Sequence, residues 1–216
     1  MTRADPVLIR AVAWDVDGTL VDSEPRHHRA LVAASRAMGV DLSDLPDQAF
    51  RGIHMLDVWK ILRSRYPAGL RVETWLSAIN DEYVWDREPM AAMPGAVETI
   101  RLLAEHGIPQ ICVSNSSRSI VAANVEALGI CQDLAGLFTL DDVAAGKPDP
   151  EPYLAASRVL GLDPEQILAV EDSETGLASA RAAGLLAVHY DSDAKIESGY
   201  FGAITRLSDV LLRVRG

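Results

Sequence analysis

The strongest constraint on the fold is an alternation of helical segments and short apolar strands that runs from residue 96 to the end of the chain. Four of the predicted helices end at a glycine, and an apolar strand of four to six residues follows directly or after a short loop. The predicted strands are Ile108–Val113, Leu137–Leu140, Ile167–Val170 and Leu185–His189. Helices that end at glycine and lead into short apolar strands are typical of βαβ units. The chain is therefore predicted to be an α/β protein with a parallel sheet.

A further strand is predicted at Val7–Trp14, and a helical insertion follows it. Residues 25–90 contain amphipathic helical segments and no predicted strand, and three of the four tryptophans lie in this stretch. A small helical unit needs such large side chains to build a core of its own. We therefore predict two domains, an α/β core formed by residues 1–22 and 93–216 and an all-helical domain of residues 23–92.

The composition narrows the range of partners and of cellular locations. The 216 residues carry a net charge of −11, which argues against nucleic acid as the main partner because phosphate backbones select basic surfaces. The chain has no stretch of about 18 uncharged apolar residues, and its first apolar run lacks the cleavage site of a signal peptide. The two cysteines, Cys112 and Cys131, do not suggest a disulfide framework. We expect a cytoplasmic monomer with reduced thiols that binds neither nucleic acid nor a membrane.

Polar side chains follow the predicted strands, at the edge where parallel sheets bind their ligands. From the first strand to the fourth they are Asp15 and Asp17, Ser114 and Asn115, Lys147, and Glu171 and Asp172. Because the carboxyl ends of parallel strands meet at one edge of the sheet, we expect these side chains to lie close together.

The acidic residues of this set indicate a metal ion. Asp15 and Asp17 are two positions apart and point to the same side while the backbone stays extended. Two adjacent carboxylates repel each other unless a cation lies between them or one holds a proton. A hard divalent cation, most simply Mg²⁺, resolves this repulsion, and Glu171 and Asp172 would complete its oxygen ligands. The alternative for an isolated pair of this kind is a solvated turn.

Lys147 is one of only three lysines and lies between Gly146 and Pro148. A fixed ammonium there would neutralise a bound phosphate and shield the carboxylates, whereas the alternative is a solvated surface lysine. Ser114 and Asn115 supply short hydrogen-bond donors at a neighbouring strand end, or they cap the helix that follows. A helix N-terminus is itself an anion site, so the two interpretations of this pair are compatible.

The sequence contains four segments that resemble, in order and spacing, the four motifs of the haloacid dehalogenase-like superfamily: DVDGTLVDSE, VSNSS, GKPDPEPY and EDSETG. The insertion after the first motif resembles the C1-type cap of the phosphoglycolate phosphatase and β-phosphoglucomutase subgroup. This resemblance covers nearly the whole chain. It implies a Rossmann-like parallel sheet core, which is catalytic, and an inserted all-helical cap domain.

The resemblance also implies a role for each strand-end residue. Asp15 would attack phosphorus and form an aspartyl-phosphate, while Asp17 would protonate the leaving oxygen and then activate water. Ser114 and Asn115 would hold phosphoryl oxygens, and Lys147 would balance their charge. The implied Mg²⁺ ligands are Asp15, the backbone carbonyl of Asp17, Asp172 and, in a supporting position, Glu171.

Members of this superfamily catalyse several reactions, and single residues separate them. Asp17 argues against haloalkanoic acid dehalogenases, which lack the second aspartate of the first motif. Nothing around Lys60, the only lysine of the insertion, supports the Schiff base of the phosphonate hydrolases. His27 matches a histidine of the β-phosphoglucomutase-like mutases, but Ile79 stands where their cap lysine is expected.

We therefore expect a Mg²⁺-dependent phosphatase that acts on a small phosphorylated metabolite, either a sugar phosphate or a phosphoglycolate-like ester. A β-phosphoglucomutase-like phosphotransferase is the first alternative. A non-enzymatic phospho-acceptor module is the second, although receiver domains have neither the second aspartate nor a helical cap.

The cap would select the substrate. Arg51 lies in a turn of the insertion and is a candidate contact because arginine recognises anions and sugar oxygens well. His27 is a second candidate, since histidine titrates near neutral pH. The alternative for both residues is an ordinary surface side chain.

Overall fold

The computed structural model describes residues 8–46, 49–50, 53, 55–192 and 202–214. The strands in these residues are β1 (Ala11–Trp14), β2 (Val21–Asp22), β3 (Ala91–Ala92), β4 (Gln110–Val113), β5 (Gly136–Phe138), β6 (Ile167–Glu171), β7 (Leu186–Tyr190) and β8 (Ala203–Ile204). The α-helices are α1 (Glu24–Ala37), α2 (Met55–Leu62), α3 (Val72–Trp85), α4 (Ala96–Glu105), α5 (Arg118–Leu128), α6 (Glu151–Leu160), α7 (Glu174–Ala182) and α8 (Val210–Val214). None of the helices described is both long enough and apolar enough to cross a membrane.

The main sheet has six strands in the order β5-β4-β1-β6-β7-β8, and all neighbouring pairs are parallel. β1 is flanked by β4 and β6, so that Trp14 lies opposite Cys112 on one side and Val170 on the other. Every residue of these three strands is buried, as expected for strands that are covered on both faces. The parallel sheet and the helical insertion confirm the predicted fold class.

The core around β1 combines small side chains on the strands with larger ones on the helices. Ala11, Ala13 and Ala169 leave room for α6 and α7, which supply Tyr153 and Leu177 to the same cluster. This complementarity allows the helices to lie close to the sheet at native packing density. Two of the helices that lead back to the sheet, α5 and α6, end at glycines with a φ of +64°, the left-handed conformation predicted for such helix ends.

A buried polar contact joins β1 to β4. Trp14 Nε1 donates a hydrogen bond of 2.9 Å to Gln110 Oε1, and Gln110 Nε2 donates one of 2.8 Å to the carbonyl oxygen of Ile100. Trp14 and Gln110 are fully buried, so these bonds satisfy groups that have no access to water.

The chain divides into two compact units, one formed by residues up to 22 and from 91 onward, the other by residues 23–90. The first unit contains the main sheet and a two-stranded antiparallel ribbon in which Val21 of β2 lies opposite Ala92 of β3. The second unit contains α1, α2 and α3, and the ring of Trp59 packs against those of Tyr66 and Trp75. The buried residues of its helices include Leu31, Ala34, Val58, Leu62, Trp75, Ile79 and Tyr83.

Candidate active site

The predicted strand-end residues of the first unit meet because β4, β1 and β6 are neighbours in the sheet. Lys147, from the loop before α6, links all three of these strand ends. Its ammonium lies 2.7 Å from Asp15 Oδ1 after β1 and 2.6 Å from Glu171 Oε1 at the end of β6, and it donates a third bond of 2.7 Å to the carbonyl oxygen of Val113 on β4. The three N–H groups of the ammonium therefore have three acceptors.

This ion-pair network is almost completely removed from water. Lys147 is 7% exposed, Asp15 8% and Glu171 0%. Burial alone would lower the pKa of Lys147, but the carboxylates of Asp15 and Glu171 raise it above its ordinary value, so the lysine stays charged. The buried position of Lys147 excludes the alternative of a solvated surface lysine.

The acidic side chains carry more negative charge than the lysine balances. One carboxylate oxygen from each of Asp15, Glu171 and Asp172 lies within 4.8 Å of the others. Three carboxylates and one ammonium leave two negative charges when all are ionised. Burial and the neighbouring carboxylate of Asp15 raise the pKa of Glu171 to about 8 and that of Asp172 to about 7, and burial also raises the pKa of Asp15.

These residues fit a hard divalent cation such as Mg²⁺. The donors are all carboxylate oxygens, the kind of ligand that Mg²⁺ prefers. The excess charge of the cluster equals that of one divalent ion. Glu171 Oε2 is buried and has no hydrogen-bond partner among the described residues, which leaves that oxygen available as a ligand. The side chain of Asp17 is outside the cluster, and the resemblance assigns only its backbone carbonyl to the metal.

Two glycines allow the chain to pass close to these carboxylates. Gly18, the fourth residue of the first motif, has a φ of +85°, and a Cβ at this position would lie 2.1 Å from Asp172 Oδ2. A Cβ on Gly176, in the first turn of α7, would lie 1.9 Å from Glu171 Oε2. A larger residue at either position would displace an acid of the cluster.

Asp15 and Asp17 bond to different groups. Asp17 Oδ2 accepts hydrogen bonds from Ser116 Oγ at 2.8 Å and Ser114 Oγ at 3.3 Å, while its Oδ1 accepts one from Asn124 Nδ2 at 3.2 Å. These donors come from the loop after β4 and from α5. Asp17 is thus hydrogen-bonded by residues that follow β4 in the sequence, whereas Asp15 is paired with Lys147.

Asn115 fixes the loop that carries Lys147. Its Oδ1 accepts the backbone N–H of Lys147 at 2.8 Å, and its Nδ2 donates to the backbone carbonyl of Lys147 at 2.9 Å. This two-bond contact brings the second and third motifs together and sets where the lysine side chain starts.

Three polar residues that contact the predicted site residues were not predicted from the sequence: Ser116, Asn124 and Tyr153. The hydroxyl of Tyr153 donates a short hydrogen bond to Glu171 Oε1, and the ring of Tyr153 lies 5.4 Å from Lys147 Nζ. Burial raises the pKa of Tyr153 well above its usual value, so the hydroxyl keeps its proton. A signal for Tyr153 existed, because it ends the GKPDPEPY motif.

The two predicted substrate contacts belong to the helical insertion. His27 lies on α1 in the second unit, where its ring packs against Tyr83 with a centroid distance of 4.5 Å. Arg51 lies outside the described residues. The roles of both residues in substrate binding stay predictions.

Comparison with known proteins supports an enzymatic role. A family model described as haloacid dehalogenase-like hydrolase matches residues 9–184. Validoxylamine A 7'-phosphate phosphatase of Streptomyces hygroscopicus subsp. limoneus is 29% identical over 182 residues, which cover 84% of this chain and 85% of that protein. Hexitol phosphatase A of Escherichia coli (strain K12) is 30% identical over 184 residues, which cover 83% of each chain.

A solved structure is similar to this chain in its fold. The crystal structure of CbbY from Rhodobacter sphaeroides in complex with phosphate is 27% identical in sequence to this chain. The two structures align with a TM-score of 0.81 over 94% of this chain and 96% of that chain.

Proposed function

This chain belongs to the haloacid dehalogenase-like hydrolase family and is a phosphatase, and we propose that it hydrolyses small phosphorylated metabolites through an aspartyl-phosphate on Asp15. The observation that carries the proposal is the buried contact of Lys147 with Asp15 and Glu171. This contact fixes Asp15 Oδ1 at the edge of the parallel sheet where ligands bind. Asp15 also belongs, with Glu171 and Asp172, to a cluster of carboxylates that suits a divalent cation.

The reaction proceeds in two displacements at phosphorus. An oxygen of Asp15 attacks the phosphorus atom, the bond from phosphorus to the ester oxygen breaks, and Asp17 gives its proton to the departing oxygen. Asp17 then takes a proton from a water molecule as that water attacks the same phosphorus, and the bond to Asp15 breaks. The products are an alcohol and inorganic phosphate, and both aspartates return to their initial states.

The remaining residues would bind Mg²⁺ and balance the negative charge of the site and of the substrate. Asp15, Glu171, Asp172 and the backbone carbonyl of Asp17 would hold Mg²⁺. Bound Mg²⁺ would neutralise the excess charge of the cluster and that of the phosphoryl oxygens. Lys147 adds a fixed positive charge, which a strongly acidic protein needs in order to bind an anionic substrate.

Ser114 and Asn115 would hold phosphoryl oxygens at the strand end of β4. The Ser114 hydroxyl accepts the backbone N–H of Ser116 at 3.0 Å, which orients it. Asn115 has two N–H groups on its amide nitrogen, and one of them donates to the Lys147 loop. We assign the other to the phosphoryl group.

The proposed substrate is a polyol or sugar phosphate or a phosphoglycolate-like ester. The names of the relatives support the first class through a hexitol phosphatase and the second through the phosphoglycolate phosphatase of Neisseria gonorrhoeae. A mutase is less well supported, because Ile79 is buried in the helical unit and offers no amino group. His27 and Arg51 are the proposed cap contacts.

The test is the release of inorganic phosphate from a panel of phosphorylated metabolites, with Mg²⁺ and with a chelator. We expect turnover only with Mg²⁺, no turnover in Asp15→Asn, and normal turnover in Asp163→Asn, which alters an exposed aspartate of the same unit. Mass spectrometry of rapidly quenched enzyme should show one added phosphoryl group on the peptide that contains Asp15. Full activity in Asp15→Asn would refute the proposed nucleophile, and isomerisation of β-glucose 1-phosphate without phosphate release would favour the mutase.

A further inference from the structure

The carboxylate of Asp17 is held on both of its oxygens by residues outside the first motif. Ser114 and Ser116 donate to Oδ2, while Asn124 donates to Oδ1. These three donors lie 97 to 107 positions from Asp17 in the sequence. The orientation of this carboxylate is therefore set by α5 and the loop before it as well as by its own loop.

The position of Asn124 is one where a polar side chain needs a hydrogen-bond acceptor. It is fully buried on α5, on the face that also carries Ile120, Val121, Val125 and Leu128. A buried amide without a hydrogen bond costs about 1–3 kcal/mol, so an apolar residue would suit this face better if no acceptor were present. Asp17 Oδ1, on the carboxylate that we propose as the general acid and base, is such an acceptor.

The contact also distinguishes the two oxygens of Asp17. An amide N–H can only donate, so the Oδ1 atom beside Asn124 must accept. A serine hydroxyl can donate or accept, so the Oδ2 atom beside Ser116 can carry the proton that the reaction transfers. The hydroxyl of Ser114, which we assign to the phosphoryl group, lies next to the same Oδ2. Asp17 is thus held with its reactive oxygen facing the place of the phosphoryl group.

We propose that Asn124 is a positioning residue that, with Ser116, holds the Asp17 carboxylate where it can protonate the leaving oxygen. This inference deepens the proposed function and rests on it. General acid catalysis contributes about 10²–10⁴-fold to a rate, and a displacement of about 1 Å can cost about 10²-fold. Loss of the Asn124 contact should therefore slow those reactions that need a proton from Asp17.

The test compares two leaving groups. An alkyl ester, either a hexitol 6-phosphate or phosphoglycolate, whichever the wild-type protein hydrolyses faster, needs a proton on its leaving oxygen. p-Nitrophenyl phosphate does not, because nitrophenolate is a stable anion. For Asn124→Leu we expect kcat/KM to fall at least about tenfold more with the alkyl ester than with p-nitrophenyl phosphate. A loss of folded protein would lower both values equally.

Controls separate positioning from packing. Val125→Ala removes a buried neighbour on the same helix without touching Asp17 and should lower kcat/KM for both substrates by the same factor. Ser116→Ala removes the 2.8 Å contact from a half-buried position and provides a second variant if Asn124→Leu folds poorly. Ser119→Ala, at an exposed position of the first turn of α5, is its matched control.

A double variant tests whether the effect passes through Asp17. In Asp17→Asn, the preference for the better leaving group should already be large, and adding Asn124→Leu should not increase it further. An additive effect, an equal loss with both substrates in Asn124→Leu and Ser116→Ala, or an increase in rate would overturn the inference. Absence of phosphate release by the wild-type protein from both esters would overturn the proposed function and the inference with it.

Discussion

Lys147 is a buried ammonium between two buried carboxylates, so its removal leaves like charges facing each other without water. We expect Lys147→Met to lower the free energy of unfolding by about 3–5 kcal/mol, as measured by urea denaturation with a chelator present. Lys60→Met is the matched control. Lys60 pairs with Asp57 at an exposed position, where the loss should stay below about 1 kcal/mol. Equal losses in the two variants would contradict the assigned role of Lys147.

The substitution Gly176→Ala has two opposing effects on the folded structure. Alanine is the better helix former by about 1 kcal/mol, so helix propensity alone would make Gly176→Ala stabilising. A Cβ here would lie 1.9 Å from the carboxylate of Glu171, and we expect this overlap to dominate and to abolish most phosphatase activity. Activity and thermal unfolding should be compared with Gly69→Ala, where, apart from the two adjacent residues, no atom of the described residues lies within 4 Å of the added Cβ. An active and more stable Gly176→Ala would contradict the prediction.

The strand-end residues could be predicted because their chemistry and their place in the chain agree. Lys147 and Asp15 are 132 positions apart, yet each follows a strand of a parallel sheet and is therefore brought to the same edge. Asn124 could not be assigned in this way, because its partner depends on how α5 lies against the first motif. The available signal was a single amide on an otherwise apolar helix face. For Tyr153 the signal was its place at the end of the third motif, because an aromatic residue on a buried helix face is otherwise ordinary core.

At the scale of single elements, α1 and α3 are joined by an ion pair that responds to pH. Arg29 on α1 donates to Asp86 Oδ2, at the end of α3, over 2.8 Å. Partial burial raises the pKa of Asp86, but the backbone N–H of Glu88 and the guanidinium of Arg29 lower it more, so the net shift is downward. A carboxyl group with a depressed pKa stabilises the folded state above its unfolded pKa, and this stabilisation is lost as the pH falls through the folded value.

We therefore expect the wild-type chain to lose stability relative to Asp86→Asn as the pH falls below about 4, because the variant lacks the titrating group. Above that pH the variant should be the less stable of the two. The measurement is the midpoint of urea unfolding between pH 3 and pH 7, followed by circular dichroism. Asp81→Asn, at an exposed position of α3, should follow the wild type throughout. A constant difference between Asp86→Asn and the wild type at all pH values would contradict the assignment.

Element boundaries were less predictable than the presence of the elements. The strand expected at Leu137–Leu140 lies at Gly136–Phe138 instead. Thr139 ends it, because Asp142 Oδ2 accepts hydrogen bonds from the backbone N–H of Thr139 at 2.9 Å and from its hydroxyl at 2.7 Å. This capping interaction starts a helical turn where apolar residues alone predicted more strand. The short strand β8 had no sequence signal, since two residues show no periodicity.

Because the chain carries a net charge of −11 and the site contains excess acid, we expect a divalent cation to stabilise the folded chain as a whole. A ligand that binds only the folded state at one hundred times its dissociation constant adds about 2.7 kcal/mol. We expect Mg²⁺ to raise the unfolding temperature of the wild type and to have little effect on Asp172→Asn. Glu165→Gln, an exposed substitution in the same unit, should keep the full Mg²⁺ response. A Mg²⁺ response retained in Asp172→Asn would exclude Asp172 as a ligand.

The buried contact between Trp14 and Gln110 has a consequence for folding fidelity. β1 and β4 are short and apolar, so hydrophobic burial alone distinguishes poorly between alternative alignments of the two strands. Any slipped alignment would separate the indole N–H of Trp14 from Gln110 Oε1 and bury these two atoms without each other, at about 1–3 kcal/mol for each group. The contact between Trp14 and Gln110 thereby penalises misaligned sheets, in which the carboxylate of Asp15, the proposed nucleophile, would lie at the wrong depth.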